Sequence, residues 1–187
     1  MKIKESIFSE KSERGVALYT KLLRWLDSPA RKKYNNPVKL VERAGIVKGH
    51  VVLELGCGSG FFTEEISKQV GAEGKVYATD IHPISVCEMN RKIKQLGLTN
   101  VVAQKEDALH TSFADNSVDM IILYGVIPAP VIPTKELSVE MYRILKPDGV
   151  CAIWTAVPFW RPKGIERSAR FTRLKRNYPI FRLQKKV

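Results

Sequence analysis

An α/β fold is predicted by three features of the 187-residue sequence: a doubly wound, mostly parallel sheet, preceded by helices and closed by a C-terminal antiparallel hairpin. Between residues 50 and 155, short apolar runs bounded by glycines and turn residues alternate with segments of helical periodicity, the pattern of repeated βαβ units. The first of these runs ends in a glycine-rich turn that opens directly into a helical segment. Outside that stretch the pattern changes: the chain before residue 48 has helical spacing, and the chain after Pro158 has two basic-aromatic segments around Asn177-Tyr178-Pro179.

In the first 47 residues, Val16–Leu26 has apolar residues at helical spacing. Asp27-Ser28-Pro29 breaks that helix and offers Asp27 or Ser28 as the cap of a short second one. Asn36-Pro37 starts a third helix, running to Ala44, with Gly45 as its stop. Then His50–Leu55 (HVVLEL) reads as a strand buried on both faces, because a parallel sheet covered by helices needs continuous apolar runs. Helix Phe61–Val70, strand Gly74–Thr79, helix Pro83–Leu96 with proline in its first turn, and strand Asn100–Gln104 follow. Strand Val118–Tyr124 is the most apolar; helix Thr134–Leu145 and strand Gly149–Thr155 complete the alternation. Ala169–Arg176 and Ile180–Lys186 are expected to form the hairpin. This Rossmann-like reading divides the chain into an N-terminal helical extension, 1–47, and a ligand-binding domain, 48–187.

The length fits a single core, and the content of 44% hydrophobic and 27% charged residues is ordinary for a globular protein. The longest apolar stretch, Met120–Ile127, is far shorter than the roughly 20 residues of a membrane span, and the first fifteen residues contain no apolar signal core. A cytoplasmic location is the expectation. Cys57, Cys87 and Cys151 are odd in number and widely spaced, so neither a disulfide framework nor a metal site is expected. Charge is distributed unevenly: residues 45–160 carry 10 basic against 13 acidic side chains, whereas residues 161–187 carry 10 against 1. Such asymmetry points to a polyanionic partner, a nucleic acid or an anionic membrane, through 161–187.

In a doubly wound sheet the first β–α turn is the usual ligand cradle, because bare glycine backbone approaches a ligand closely. Here the turn is Glu54-Leu-Gly56-Cys-Gly58-Ser-Gly60. A dinucleotide site needs G-x-G-x-x-G, and counting from Gly56 the third glycine would fall on Phe61; the chain has G-x-G-x-G instead. Glu54 at the end of a buried strand would repel a pyrophosphate and attract an ammonium or sulfonium, since a buried carboxylate is costly without a partner. A cationic ligand is therefore preferred over a dinucleotide.

With this loop the chain resembles class I S-adenosylmethionine-dependent methyltransferases. The segments that carry the resemblance are VLELGCGSG (52–60), YATDIHP (77–83), EDAL (106–109), VDMIILY (118–124) and LKPDGV (145–150), in order and with the expected spacing over roughly residues 40 to 180. Its nearest flavour is the small-molecule group of quinone-biosynthesis C-methyltransferases and arsenite methyltransferases. The resemblance implies S-adenosyl-L-methionine as cofactor and S-adenosyl-L-homocysteine as product. It implies that Gly56, Gly58 and Gly60 pack against the methionine part, and that Glu54 orients the loop and the amino group. Asp80 would accept from the ribose hydroxyls and Ile81 would lie on the adenine face. Asp107, with Ala108 beside it, would accept from the adenine amino group, and Tyr124 would face the transferred methyl. Plainer alternatives stay open: Asp80 as a helix cap, Asp107 as a solvated loop acid, Tyr124 as a core aromatic. His82 and His110 fall on cofactor-side loops, where exposed polar histidines are common, and His50 is assigned a structural role. Tyr124 and His110 are the only candidate general bases.

The acceptor is not named by any segment. Tyr124-Gly125-Val126-Ile127-Pro128 is unlike the N/D-P-P-Y/F turn of amino-methylating nucleic-acid enzymes, and the chain lacks the extra cysteines of the arsenite enzymes. Pro128–Pro133 (PAPVIP) predicts a stiff apolar rim, hence a small or lipid-like acceptor. The basic, aromatic tail keeps two alternatives open: an RNA methyltransferase, or an RNA-binding methyltransferase-like subunit. A third is a domain that binds the cofactor without catalysis. Because only Pro158–Ser168 separates the fifth strand from the hairpin, the usual helix there must be short or absent, leaving sheet that a second copy, as a homodimer, could cover. No acceptor-binding insertion is visible, so a lid must come from 1–47 or the substrate must itself cover the site.

Overall fold

The computed structural model describes residues 13–128, 132–175 and 177–187. The first twelve residues, the middle of the predicted rim at 129–131, and Arg176 at the end of the predicted first hairpin strand lie outside them. Helix α1 is Glu13–Leu26, α2 Pro29–Tyr34 and α3 Pro37–Glu42. Strand β1 is Val51–Leu55, followed by α4 Thr63–Val70, β2 Lys75–Asp80, α5 Pro83–Leu96 and β3 Val101–Lys105. Then come β4 Val118–Tyr124, α6 Thr134–Ile144, β5 Leu145–Trp154, α7 Lys163–Glu166, β6 Phe171–Arg173 and β7 Phe181–Lys185.

The local chemistry follows the sequence. The Ser28 side chain accepts from the Arg31 N–H and the Asn36 side chain from the Lys39 N–H, each capping a helix that has proline in its first turn. Helix α5 begins at Pro83 and ends at Gly97, whose left-handed backbone (φ 63°) donates back to Ile93. The predicted short helix after β5 is the four-residue α7, anchored by the fully buried Ile165.

The strands form one sheet of seven, ordered β3-β2-β1-β4-β5-β7-β6. The first five are mutually parallel, and β7 and β6 add the antiparallel hairpin to the β5 side. The chain runs outward from β1 to β3 and then crosses to β4, so the strand order reverses between β1 and β4. That reversal opens a crevice at the carboxyl ends of those strands, where ligands bind in this architecture.

Alternation along the strands divides the core into two layers. Val52, Met120 and Ile122 pack with Leu40, Ile66 and Met89 from α3, α4 and α5. Leu53, Leu55, Ile121 and Leu123 pack on the other face with Leu137 and Met141 of α6 and Leu183 of β7. Glu54 lies between Leu53 and Leu55 in β1, so alternation puts its carboxyl on the α4 side.

Several boundaries differ from expectation, and three of the differences bear on the site or the sheet edge. Helix α4 starts at Thr63 rather than Phe61, because Phe61 and Phe62 are buried as part of the turn before it. Strand β5 starts at Leu145, not Gly149: the chain pairs Leu145 with Val118, then skips register before pairing Val150 with Met120. The hairpin strands are shorter than Ala169–Arg176 and Ile180–Lys186, because only the central residues ladder. Several hairpin cations have structural work. Lys185 donates to Asn116 Oδ1 at 2.6 Å and to the Leu145 carbonyl at 2.7 Å, and Arg161 and Arg173 both reach Glu166.

Candidate functional site

The glycine turn after β1 is held by β2. The N–H groups of Gly56 and Cys57 both donate to the Thr79 carbonyl at 2.8 Å, and Thr79 Oγ1 donates to the Glu54 carbonyl at 2.9 Å. Gly56, Gly58 and Gly60 all have positive φ (74°, 55° and 78°), a region that a Cβ makes costly. Space excludes a side chain too. A Cβ on Gly56 would stand 2.4 Å from a Val126 methyl, and one on Gly60 2.4 Å from the Met89 sulfur.

Under the loop, Glu54 is 2% exposed and accepts from Thr63 Oγ1 at 2.6 Å, tying β1 to the first residue of α4. Burial pushes its carboxyl up to about 7, only partly countered by Thr63 and the positive charge of Lys92. Asp80 ends β2. One carboxylate oxygen accepts from the Gly58 N–H and the other from the His82 N–H, both at 2.9 Å. Burial raises its carboxyl, and these two N–H groups act in the opposite direction. Ile81 stands beside it, 55% exposed although apolar.

These residues fit the amino-acid half and the nucleoside half of S-adenosylmethionine. A carboxyl poised near neutrality is ready to ionise beside an arriving ammonium. Two backbone N–H groups and the Ser85 side chain bond to Asp80, and a carboxylate has about four acceptor sites, so capacity remains for a ligand hydroxyl. The exposed Ile81 offers a flat apolar contact for a base.

Other predicted residues take plainer positions. Asp107 is exposed, and its carboxylate accepts from the Leu109 N–H at 2.9 Å, making a turn that closes with His110. Ala108 is half-buried against the α6-side core, and His110 is exposed at the end of that turn. Tyr124 does not offer its hydroxyl to the crevice. The group is buried, donates to the Leu40 carbonyl at 3.0 Å, and is held far above the usual phenol range by burial. Its ring joins Phe62 and Trp154 in an edge-to-face cluster. His82 departs from the expectation of an exposed loop histidine: it caps α5, with Nδ1 accepting from the Ile84 N–H, and stacks on Tyr19 at 3.7 Å. His50 accepts from the Val47 N–H, the structural role expected of it.

Sequence reasoning missed the residues that bring the N-terminal helices onto the loop. The Tyr19 hydroxyl of α1 is 2.7 Å from Ser85 Oγ, and Leu23 packs against Gly58. Lys92 of α5 donates to Asp27 at 3.2 Å and to the carbonyls of Ser59 and Gly60, joining α1, α5 and the loop. A lysine on the polar face of a helix looks like any solvated lysine, so nothing in the sequence marked it.

Beside the loop, at the carboxyl ends of β4 and β5, lies a cavity of about 440 Å³. Trp25, Tyr34, Ile127, Pro128 and Trp154 make its walls apolar, and Arg31 is the cation among the described residues that line it. No carboxylate and no imidazole lines it among those residues.

Comparison with known proteins agrees with this geometry. A family profile described as a methyltransferase domain matches residues 46–178. A demethylmenaquinone methyltransferase of Lactobacillus johnsonii is 29% identical over 166 residues, 82% of this chain and 65% of that protein. The ubiquinone/menaquinone biosynthesis C-methyltransferase UbiE of Haemophilus ducreyi is 35% identical over 111 residues, 58% of this chain and 42% of that protein. The chain thus spans less than two thirds of the length of either relative. Among solved structures, a SAM-dependent methyltransferase from Aquifex aeolicus superposes with a TM-score of 0.73 at 27% identity, covering 88% of this chain and 96% of that one. Sheet order, glycine loop, acidic strand ends and these matches together place the chain in the class I S-adenosylmethionine-dependent methyltransferase family.

Proposed function

We propose that the protein transfers a methyl group from S-adenosylmethionine to a small, apolar or lipid-like acceptor, of the quinone-related kind that its relatives' names indicate. The observation that carries this reading is the apolar cavity at the ends of β4 and β5, adjacent to the glycine loop and separate from it. A ring system with a greasy substituent is the chemistry that aromatic walls stabilise, at roughly 25 cal/mol per Å² of apolar surface removed from water.

Gly56, Gly58 and Gly60 would hold the cofactor's methionine part, Glu54 its ammonium, Asp80 its ribose and Ile81 its adenine, with Asp107 and Ala108 at the adenine rim. When bound, the cofactor supplies a methyl group already activated on a sulfonium. The protein's part is then to align and to exclude water, a contribution of at most about 7–11 kcal/mol. Residues 1–47 act as the lid in this reading. Helix α1 reaches the start of α5 through Tyr19 and the loop at Gly58 through Leu23, and α2 supplies one cavity wall through Arg31 and Tyr34. Tyr124 is not assigned proton transfer, since its hydroxyl is committed to Leu40. Lys185, Arg161 and Arg173 have partners within the fold, and no polyanion is assigned to the basic hairpin in this reading.

The test is transfer of radiolabelled methyl from S-adenosylmethionine to chemically reduced demethylmenaquinone analogues of varied side-chain length, followed by organic extraction. Label in the organic phase that depends on enzyme and on the reduced acceptor supports the reading. Label found only in nuclease-sensitive or protein-bound material refutes it.

A further inference from the structure

Arg31 is a cation whose surroundings do not balance it. It is half-buried on the cavity wall, one guanidinium nitrogen donates to the Leu26 carbonyl at 2.6 Å, and its carbon lies 4.1 Å from the centroid of the Phe61 ring. Burial lowers its pKa, and Asp27 is the carboxylate that acts against this. Asp27, however, is bonded to Lys92, which also takes the two loop carbonyls. No ion pair to Arg31 forms among the described residues; one carbonyl and the faces of Phe61 and Phe62 hold part of the guanidinium, and its remaining N–H donors are left for water or a ligand in the cavity. A half-buried guanidinium in an apolar wall gains from an anion that joins it, and a planar fork is the geometry that takes oxygen anions two bonds at a time. The cavity it lines has neither acid nor imidazole among its described walls, so a neutral acceptor would find no base there.

We propose that Arg31 is the anion-binding group of the acceptor cavity, pairing with an ionised oxygen carried on the apolar ring of the methyl acceptor. This rests on the methyl-transfer reading above for the identity of the cavity, but it can be tested without turnover. An acceptor that enters already ionised needs a counter-cation and no base to generate the nucleophile, which matches the lining; if a ring carbon takes the methyl, its displaced proton passes to the ring oxygen or to water as aromaticity returns. The other possible source of an oxygen anion in this region is the carboxylate of the cofactor's methionine part, and the experiment separates the two.

The full chain is titrated calorimetrically with 2-naphthoate and with 2-naphthamide, which share a ring and differ in charge. Parent, Arg31→Gln and Arg31→Met proteins are compared, with thermal unfolding run on each. The expected result is a preference for the carboxylate of at least about tenfold in the parent, falling to within about twofold in both variants. S-adenosylhomocysteine affinity is expected to change by less than about twofold. The proposal is overturned if the parent shows no preference for the anion, or if the preference survives in a folded variant. It is equally overturned if the variants lose S-adenosylhomocysteine about tenfold while binding 5′-methylthioadenosine, which lacks the carboxylate, as the parent does; Arg31 would then serve the cofactor. A parent that fails to bind S-adenosylhomocysteine defeats the methyl-transfer reading instead, and the naphthyl pair still reports on Arg31.

Discussion

Replacing Glu54 with glutamine should make the protein more stable at neutral and alkaline pH, although it removes an acidic residue from the centre of the site. The reason lies in the proton balance. Glu54 is raised from 4.5 to about 7 by burial, so the folded state holds this proton more tightly than the unfolded chain does. Stability from the protonated group is fully present below about pH 4.5, is lost as pH rises through about 7, and is absent above that. At about 1.4 kcal/mol per pH unit, the ionised carboxylate costs the fold about 3 kcal/mol at pH 8. Glutamine keeps an acceptor for the Thr63 hydroxyl and carries no charge, so it avoids this cost. The assay is urea unfolding of the parent and Glu54→Gln from about pH 4 to 8, read as the difference between the two proteins. The difference isolates Glu54, because carboxylates such as Asp119, lowered against burial by Lys146, titrate identically in both. A variant advantage growing by about 3 kcal/mol across this range is expected. Parallel curves would refute the assignment of a raised pKa, and a variant losing stability with rising pH would reverse its sign.

Gly60→Ala combines a positive φ of 78° with a Cβ 2.4 Å from the Met89 sulfur; it should destabilise by about 2–4 kcal/mol and abolish S-adenosylhomocysteine binding, as thermal unfolding and calorimetry would show. Tyr124→Phe strips the Leu40 carbonyl of its partner, for about 1–2 kcal/mol in stability. It should leave the pH dependence of methyl transfer unchanged, and a lost basic limb in that profile would restore Tyr124 as a proton acceptor. Lys92→Met releases Asp27 and the Ser59 and Gly60 carbonyls, and removes a charge that lowers the Glu54 pKa. Cofactor affinity should fall about tenfold, and the Glu54 transition in the unfolding series should move to higher pH.

The sheet and the glycine loop were legible because their determinants are local. A buried strand, a run of glycines and a proline at a helix start each act within a few residues, and α5 and β4 fall where the periodicity places them. The helix before the hairpin is limited to short or absent by chain length alone, and it is four residues long. What could not be read were contacts between distant segments. Tyr19 with Ser85, Lys92 with Asp27, and Tyr124 with Leu40 join residues far apart in sequence, and none has a spacing signature. Tyr124 shows the consequence most clearly. A tyrosine at a strand end reads as a crevice residue, yet pleat alternation turns it toward the α3 side, where a backbone carbonyl takes its hydroxyl. Likewise Arg31 reads as one of three basic residues in a short helix, and only the fold places it on the cavity wall.

The most direct test of the account is calorimetric titration of the full chain with S-adenosylhomocysteine, alongside Asp80→Asn and nicotinamide dinucleotide as the competing ligand class. One site per chain is expected, with affinity reduced at least about tenfold in Asp80→Asn by loss of a charged acceptor for the ribose, and no heat with the dinucleotide. No heat with S-adenosylhomocysteine, or saturable binding of the dinucleotide in its place, would contradict it.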